Sequence, residues 1–208
     1  MNVLPKIFQY NLLPAIILIL PLFVFASDTI TVKSTVIFNT ACARCHEGEC
    51  SGRMSFHLPE EAANQHIRRH GGDLSLSDIR HLFKLLRYMK EECSFYPLPH
   101  ALMNDQKWDR TMLDTFRSPS RQAYFMPLGL LKPGMYQLSF EALDNTKFCA
   151  EIINEEFDFS DKDSLFGKTN KKELKFHAEQ HLYYFLRLTA QQAISLEKLT
   201  LIKSKRVE

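Results

Sequence analysis

Gly134-Met135-Tyr136-Gln137-Leu138-Ser139-Phe140-Glu141-Ala142 decides how the second half of the chain folds. Tyr136, Leu138, Phe140 and Ala142 alternate with polar positions, the period-two pattern of a strand with one buried face. Downstream, Phe148 to Phe157 reads as a second strand, and Leu174–Ala178, Leu182–Leu188 and Ile194–Ile202 supply three more. Upstream, Leu128 to Gly134 is punctuated by Gly and Pro and reads as a turn. Asp158 to Lys172 is polar and charged, contains Gly167, and reads as a solvated loop. Short strands separated by turn signals, with little helical periodicity, predict an antiparallel β-sandwich over residues 105–208.

The first half has a different period. Ser75 and Asp78 form an S-x-x-D helix start. Ile79, Leu82, Phe83, Leu86, Met89 and Cys93 then recur every three or four residues as one apolar stripe. Glu60 to Arg69 is predicted helical and is closed by Gly71-Gly72. Thr29–Val32 reads as β-like, and Thr35 to Ala41 as the start of a short helix. Glu47 to Pro59 reads as a loop. Tyr96-Pro97-Leu98-Pro99 interrupts regular structure and marks the boundary between a unit at 27–100 and the sandwich. The fold class expected is α+β in two domains, all-α and then all-β.

The chain has 208 residues, is 45% hydrophobic and carries a net charge of +2. That balance argues against a nucleic-acid partner. Lys6 is the one charge before an apolar run from Leu12 to Phe25, and Val24-Phe25-Ala26 offers small residues at a cleavage site. Residues 1–26 therefore read as a signal peptide, which places the mature chain in the periplasm or outside the cell. Of the five cysteines, Cys50 and Cys93 are expected to pair, leaving Cys149 as a buried apolar residue.

Cys42-Ala43-Arg44-Cys45-His46 carries the sharpest chemical signal. C-x-x-C-H is the attachment pattern for c-type haem: two thiols form thioethers and the next imidazole binds the iron. The same spacing serves half of a zinc site or a reducible cysteine pair. Neither a second pair at zinc spacing nor a βαβ pattern accompanies it. Cys42 and Cys45 are thus expected to hold one haem c, with His46 as proximal ligand.

The sixth iron position has several candidates. Met54 and His57 follow His46 closely, His81 falls off the apolar stripe, and Met89 lies on it as core. His66 and His70 are four residues apart on one helical face. His70 precedes Gly71-Gly72, where the backbone can approach a flat cofactor. His70 is the expected distal ligand and His66 the alternative.

These residues carry a resemblance. "VIFNTACARCHEGEC" and "LSLSDIRHLFKLLRYMKEEC" resemble the first and last helices of a small bacterial mono-haem cytochrome c domain, with Tyr88 at the aromatic position of the last helix. "LPEEAANQHIRRHGGDLSL" is similar to the di-haem cytochrome c family near its distal ligand, which implies His70. One attachment motif is present where that family has two, and no Met-Pro ligand pair occurs in this interval. The resemblance implies a six-coordinate haem passing single electrons between redox partner proteins, rather than an enzyme.

"GLLKPGMYQLSFEAL" and "LYYFLRLTAQQAISLEKLTLIK" resemble jelly-roll carbohydrate-binding modules. This implies a glycan or protein ligand for the sandwich, with Trp108, Tyr124 or Tyr183 as rings that stack on sugars. The alternative expectation is accordingly a haem sensor or a surface protein that binds carbohydrate.

Overall fold

The strand quoted first runs through the middle of a four-stranded sheet. A computed structural model of the chain describes residues 30–46, 59–92, 98, 106–143, 146–165 and 171–204. The expected signal peptide, the loop with Met54 and His57, and the Cys50–Cys93 pair lie outside the described residues. Strands β1 (Lys107–Asp109), β2 (Ala123–Leu131), β3 (Gly134–Ala142) and β4 (Phe148–Asn154) are followed by β5 (Phe159–Leu165), β6 (Lys171–Ala178), β7 (Leu182–Ala190) and β8 (Leu196–Lys203). They form two antiparallel sheets, in the orders β1-β8-β3-β6 and β2-β7-β4-β5.

Leu138 sits in register between Leu174 and Leu201, all three buried. From the facing sheet, Tyr184 meets Phe176 with ring centroids 6.4 Å apart, and Phe148 meets Phe140 at 5.5 Å. The inner faces interlock through aromatic rings, whose large buried areas dominate such cores.

Two segments depart from expectation. Leu128–Gly134 is largely strand, because β2 extends to Leu131. Pro127 and Gly129 flank a bulge at which Leu128 is passed over in the pairing with β7, so the signals read as a turn mark an irregularity inside a strand. Asp158–Lys172 contains β5, and β6 already begins at Lys171. Among the described strands β5 is an outermost one paired to β4 alone, where a charged sequence such as FSDKDSL is well tolerated.

Within Thr29–Val32, the described residues 30–32 form no strand either. Thr31 caps helix α1 (Val32–Ile37), its Oγ1 accepting from Ser34 N at 3.1 Å. A π-helical turn, Phe38–Cys42, follows, then α2 (Ala43–His46), α3 (Glu60–Gly71) and α4 (Leu76–Glu92). Helix α3 ends where Gly72 takes φ 82°, and a Cβ on Gly71 would stand 2.6 Å from Leu74 Cδ1. Helix α4 opens as its sequence predicts, with Ser75 Oγ accepting from Asp78 N at 3.1 Å. A last helix, α5 (Arg110–Thr115), is capped by Asp109, whose Oδ1 accepts from Met112 N at 2.9 Å.

Helix α1 packs on α4, and α1 with the π-helical turn packs on β2, the turn also reaching β7. Val36, Ile37 and Phe38 are buried and belong to one apolar cluster with the sandwich core. This contact explains β2: every residue but Leu130 is buried, because one face meets the opposite sheet and the other meets helices.

Asp78 also receives Lys33 Nζ at 2.8 Å, joining α1 to the start of α4. Burial pushes its carboxyl up, but hydrogen bonds from Lys33 and Ser75, with the Lys33 charge, outweigh that and hold it below the usual carboxylate range. A depressed folded-state value stabilises the fold above the unfolded carboxylate pKa, about 3.9. That contribution disappears as pH falls through the folded value. Asp78→Asn is therefore expected to melt lower than wild type at pH 7, with a narrower gap at pH 3. An equal gap at both pH values in thermal melts would remove the ion pair as its cause.

Candidate functional site

The helical segments bring some nominated residues together. Cys42 closes the π-helical turn and is partly buried; Cys45, one helical turn later, is exposed. The His46 ring lies 5.9 Å from that of His66, edge to face, and His66 lies 4.6 Å from His70. The imidazole beside His46 is thus His66, and His70 meets His66 in turn. Met89 is core, as expected of a stripe residue, and Leu85, unnoticed in the stripe, is fully buried beside it. His81 is half-buried and not on the exposed face expected of it.

The nominated aromatic residues separate sharply. Trp108 and Tyr124 are 1% and 0% exposed, which removes both as sugar-stacking rings. The Tyr124 hydroxyl donates to Ile194 O at 3.3 Å and accepts from Leu196 N at 3.2 Å, tying β2 to the start of β8. Arg117 stacks over the Tyr124 ring, 5.7 Å from its centroid, and its guanidinium donates to Ser195 Oγ at 2.8 Å. These groups brace one end of the sandwich.

Tyr183 is half-exposed at the opposite end and belongs to a constructed surface. Strand β4 ends at Asn154, which is buried. Its side-chain Oδ1 accepts from Glu156 N at 3.0 Å and from Asp158 N at 2.9 Å, while its backbone N–H donates to Asp158 O at 3.0 Å. One amide side chain therefore organises the whole β4–β5 turn. Within that turn Phe157 is held at φ 68°, a left-handed conformation that a bulky residue rarely adopts, with its ring half-exposed.

Glu155 joins this turn to β7. Its N–H donates to Tyr183 O at 2.9 Å, and its carboxylate Oε1 accepts from Tyr183 N at 3.2 Å. Leu130, 48% exposed, stands opposite Tyr183 across the β2–β7 pairing and so shares its face of the sheet. The result is an apolar ledge of Leu130 and Tyr183 with Glu155 in its rim; the turn that supplies Glu155 also carries the half-exposed Phe157 and the exposed Glu156 and Asp158. Apolar rings with a few placed acceptors suit a ligand that has an apolar face and hydroxyls at its edge.

Glu155, Phe157 and Leu130 were not foreseen. Reading Phe148–Phe157 as one continuous strand concealed the turn, although Asn154 and Asp158 bracket it with turn-forming side chains.

No protein-family description matches the chain, and no curated protein does. Among solved structures, a CBM35 carbohydrate-binding module in complex with a glucuronic acid-containing disaccharide is similar over 43% of this chain and 73% of its own, with 9% identity and a TM-score of 0.33. A CBM35 from Cellvibrio japonicus is similar over 41% of this chain and 70% of its own, at 9% identity and TM-score 0.30. A ruminal GH26 endo-β-1,4-mannanase is similar over 49% of this chain and 26% of its own, at 8% identity and TM-score 0.34.

The expectation of haem c, with His46 and His70 or His66 on its iron, is corrected. Among the described residues no three or more His, Cys, Asp or Glu side chains form a group that could hold a metal ion. The apolar side chains of the motif-bearing segment, Val36 to Phe38, are buried in its packing on α4 and the sheet. Single-electron transfer and redox partner proteins fall with the haem, as does a haem sensor.

Asn154→Ala removes an acceptor shared by two backbone N–H groups. It should cost about 1–3 kcal/mol in urea unfolding and speed amide exchange at Glu156 and Asp158. Unchanged exchange there would show that the turn holds itself.

Proposed function

We propose that the protein binds carbohydrate, and that the β4–β5 end of the sandwich receives the sugar. One observation carries this reading: the half-exposed Tyr183 is tied to Glu155 by backbone and carboxylate hydrogen bonds, and the half-exposed Phe157 stands two residues further along the same turn. A pyranose presents C–H groups on its face and hydroxyls at its rim. The face would lie on the rings and Leu130, and the rim hydroxyls would donate to the carboxylates. Oε1 of Glu155 is engaged by Tyr183 N, and a carboxylate has a second oxygen for a hydroxyl. Pre-formed geometry lowers the ordering cost of binding, and the strained backbone at Phe157 fits a residue kept for its ring.

In this reading the chain is exported, as its first 26 residues suggest, and meets polysaccharide outside the cytoplasm. Helices α1 to α4, within the unit expected at 27–100, resemble in sequence a cytochrome c domain; α1 covers the sheet, and none of them takes part in sugar binding. The function is binding rather than catalysis.

Gel electrophoresis of the full chain through neutral glucan, xylan, mannan and uronate-containing polymers tests the proposal. At least one polymer should retard it. Tyr183→Ala and Phe157→Gly should each weaken retardation about tenfold, the equivalent of about 1.4 kcal/mol, with circular dichroism unchanged. Migration unaffected by every polymer, or variants bound as tightly as wild type, would overturn it.

A further inference from the structure

We propose that Cys42 and Cys45 form a reversible dithiol that closes to a disulfide by exchange with a small-molecule disulfide such as glutathione disulfide. Both are thiols in the structure. Helical residues three apart have Cβ atoms about 5–6 Å from one another. Disulfides need Cβ atoms about 3.5–4.5 Å apart, so a small local adjustment closes the bond. The backbone there is suited to adjust: the π-helical turn ends at Cys42 and α-helical geometry resumes at Ala43, so the change of winding falls between the two sulfurs.

Their surroundings divide the labour. Cys45 is exposed and can be approached by a disulfide in solution. Cys42 is partly buried, and its thiol is pushed up to about 11, first by burial and then by the neighbouring Cys45 charge. Cys42 is therefore a resolving thiol rather than the first attacker.

The exchange balances in two steps. Cys45 thiolate attacks one sulfur of glutathione disulfide, forming a protein–glutathione mixed disulfide and releasing one glutathione thiolate. The charge on Cys45 is thereby lost, which removes part of what kept Cys42 protonated. Cys42 then gives its proton to solvent and attacks the Cys45 sulfur, expelling the second glutathione. The protein dithiol is oxidised by two electrons and one glutathione disulfide is reduced to two thiols.

The full chain, equilibrated in buffers of set reduced-to-oxidised glutathione ratio, is acid-quenched, alkylated and peptide-mapped. Cys42 and Cys45 should lose alkylation together, and regain it on reduction, along one sigmoidal curve. Cys42→Ser should trap glutathione on Cys45, and Cys45→Ser should slow oxidation of Cys42 at least tenfold, with both variants retaining the wild-type circular dichroism. Alkylation of both residues at every ratio, or a disulfide mapped from Cys45 to Cys50, would overturn the proposal.

Discussion

Burial of the outer face of the β2–β7 pair under α1 and the π-helical turn is the constraint on which the molecule depends. A strand with one face in water alternates apolar and polar residues. β2 and β7 cannot do so here, because both of their faces are covered over most of their length. The outer face carries Phe125 and Phe185, whose rings stack 5.6 Å apart and nearly parallel, and Arg187, which lies 3.6 Å from Glu151. Arg187 is 8% exposed, and a charge so far from water needs its carboxylate neighbour. Without the helices this face would present a large apolar patch of the kind that drives association.

The same constraint decides what could be read from the residues alone. β3 was legible because its outward positions, Gln137, Ser139 and Glu141, are less buried than their neighbours. β6 and β8 were legible in outline for similar reasons, and β7 as a continuous apolar run between turn signals. β2 was not, since burial on both sides erases alternation, and its Pro127 and Gly129 carry the chemistry of a turn while marking a bulge. β5 failed in the opposite way: an outermost strand can be as charged as a loop. Capping was read well where it is local, as at Ser75 and Asp78, and missed at Thr31, which lies inside the Thr29–Val32 stretch read as β-like.

The site shows a similar division. Tyr183 was nominated together with Trp108 and Tyr124, but aromatic residue type does not say which rings reach solvent. That depends on register, which sets Tyr124 opposite Leu188 on the inner face and Tyr183 opposite Leu130 on the outer one. Glu155 and Phe157 were illegible because their roles arise from Asn154, whose amide replaces the ladder beyond the end of β4. The C-x-x-C-H stretch misled in another manner. Five residues describe a chemistry that also needs a surrounding pocket, and the helices around them pack against each other and the sheet.

Two tyrosine hydroxyls have a consequence for the ledge-bearing end of the sandwich. Tyr136 donates to Lys132 O at 2.8 Å, and Tyr184 donates to Gln180 O at 3.3 Å. Each phenol reaches from the interior to hold the backbone of a neighbouring connection, between β2 and β3 and between β6 and β7. Main-chain shape at those corners is thus fixed from beneath and owes little to the side chains displayed on top. Glu179 and His181 stand on such a corner and are exposed, so natural drift or a combinatorial library can exchange them while the scaffold keeps its form.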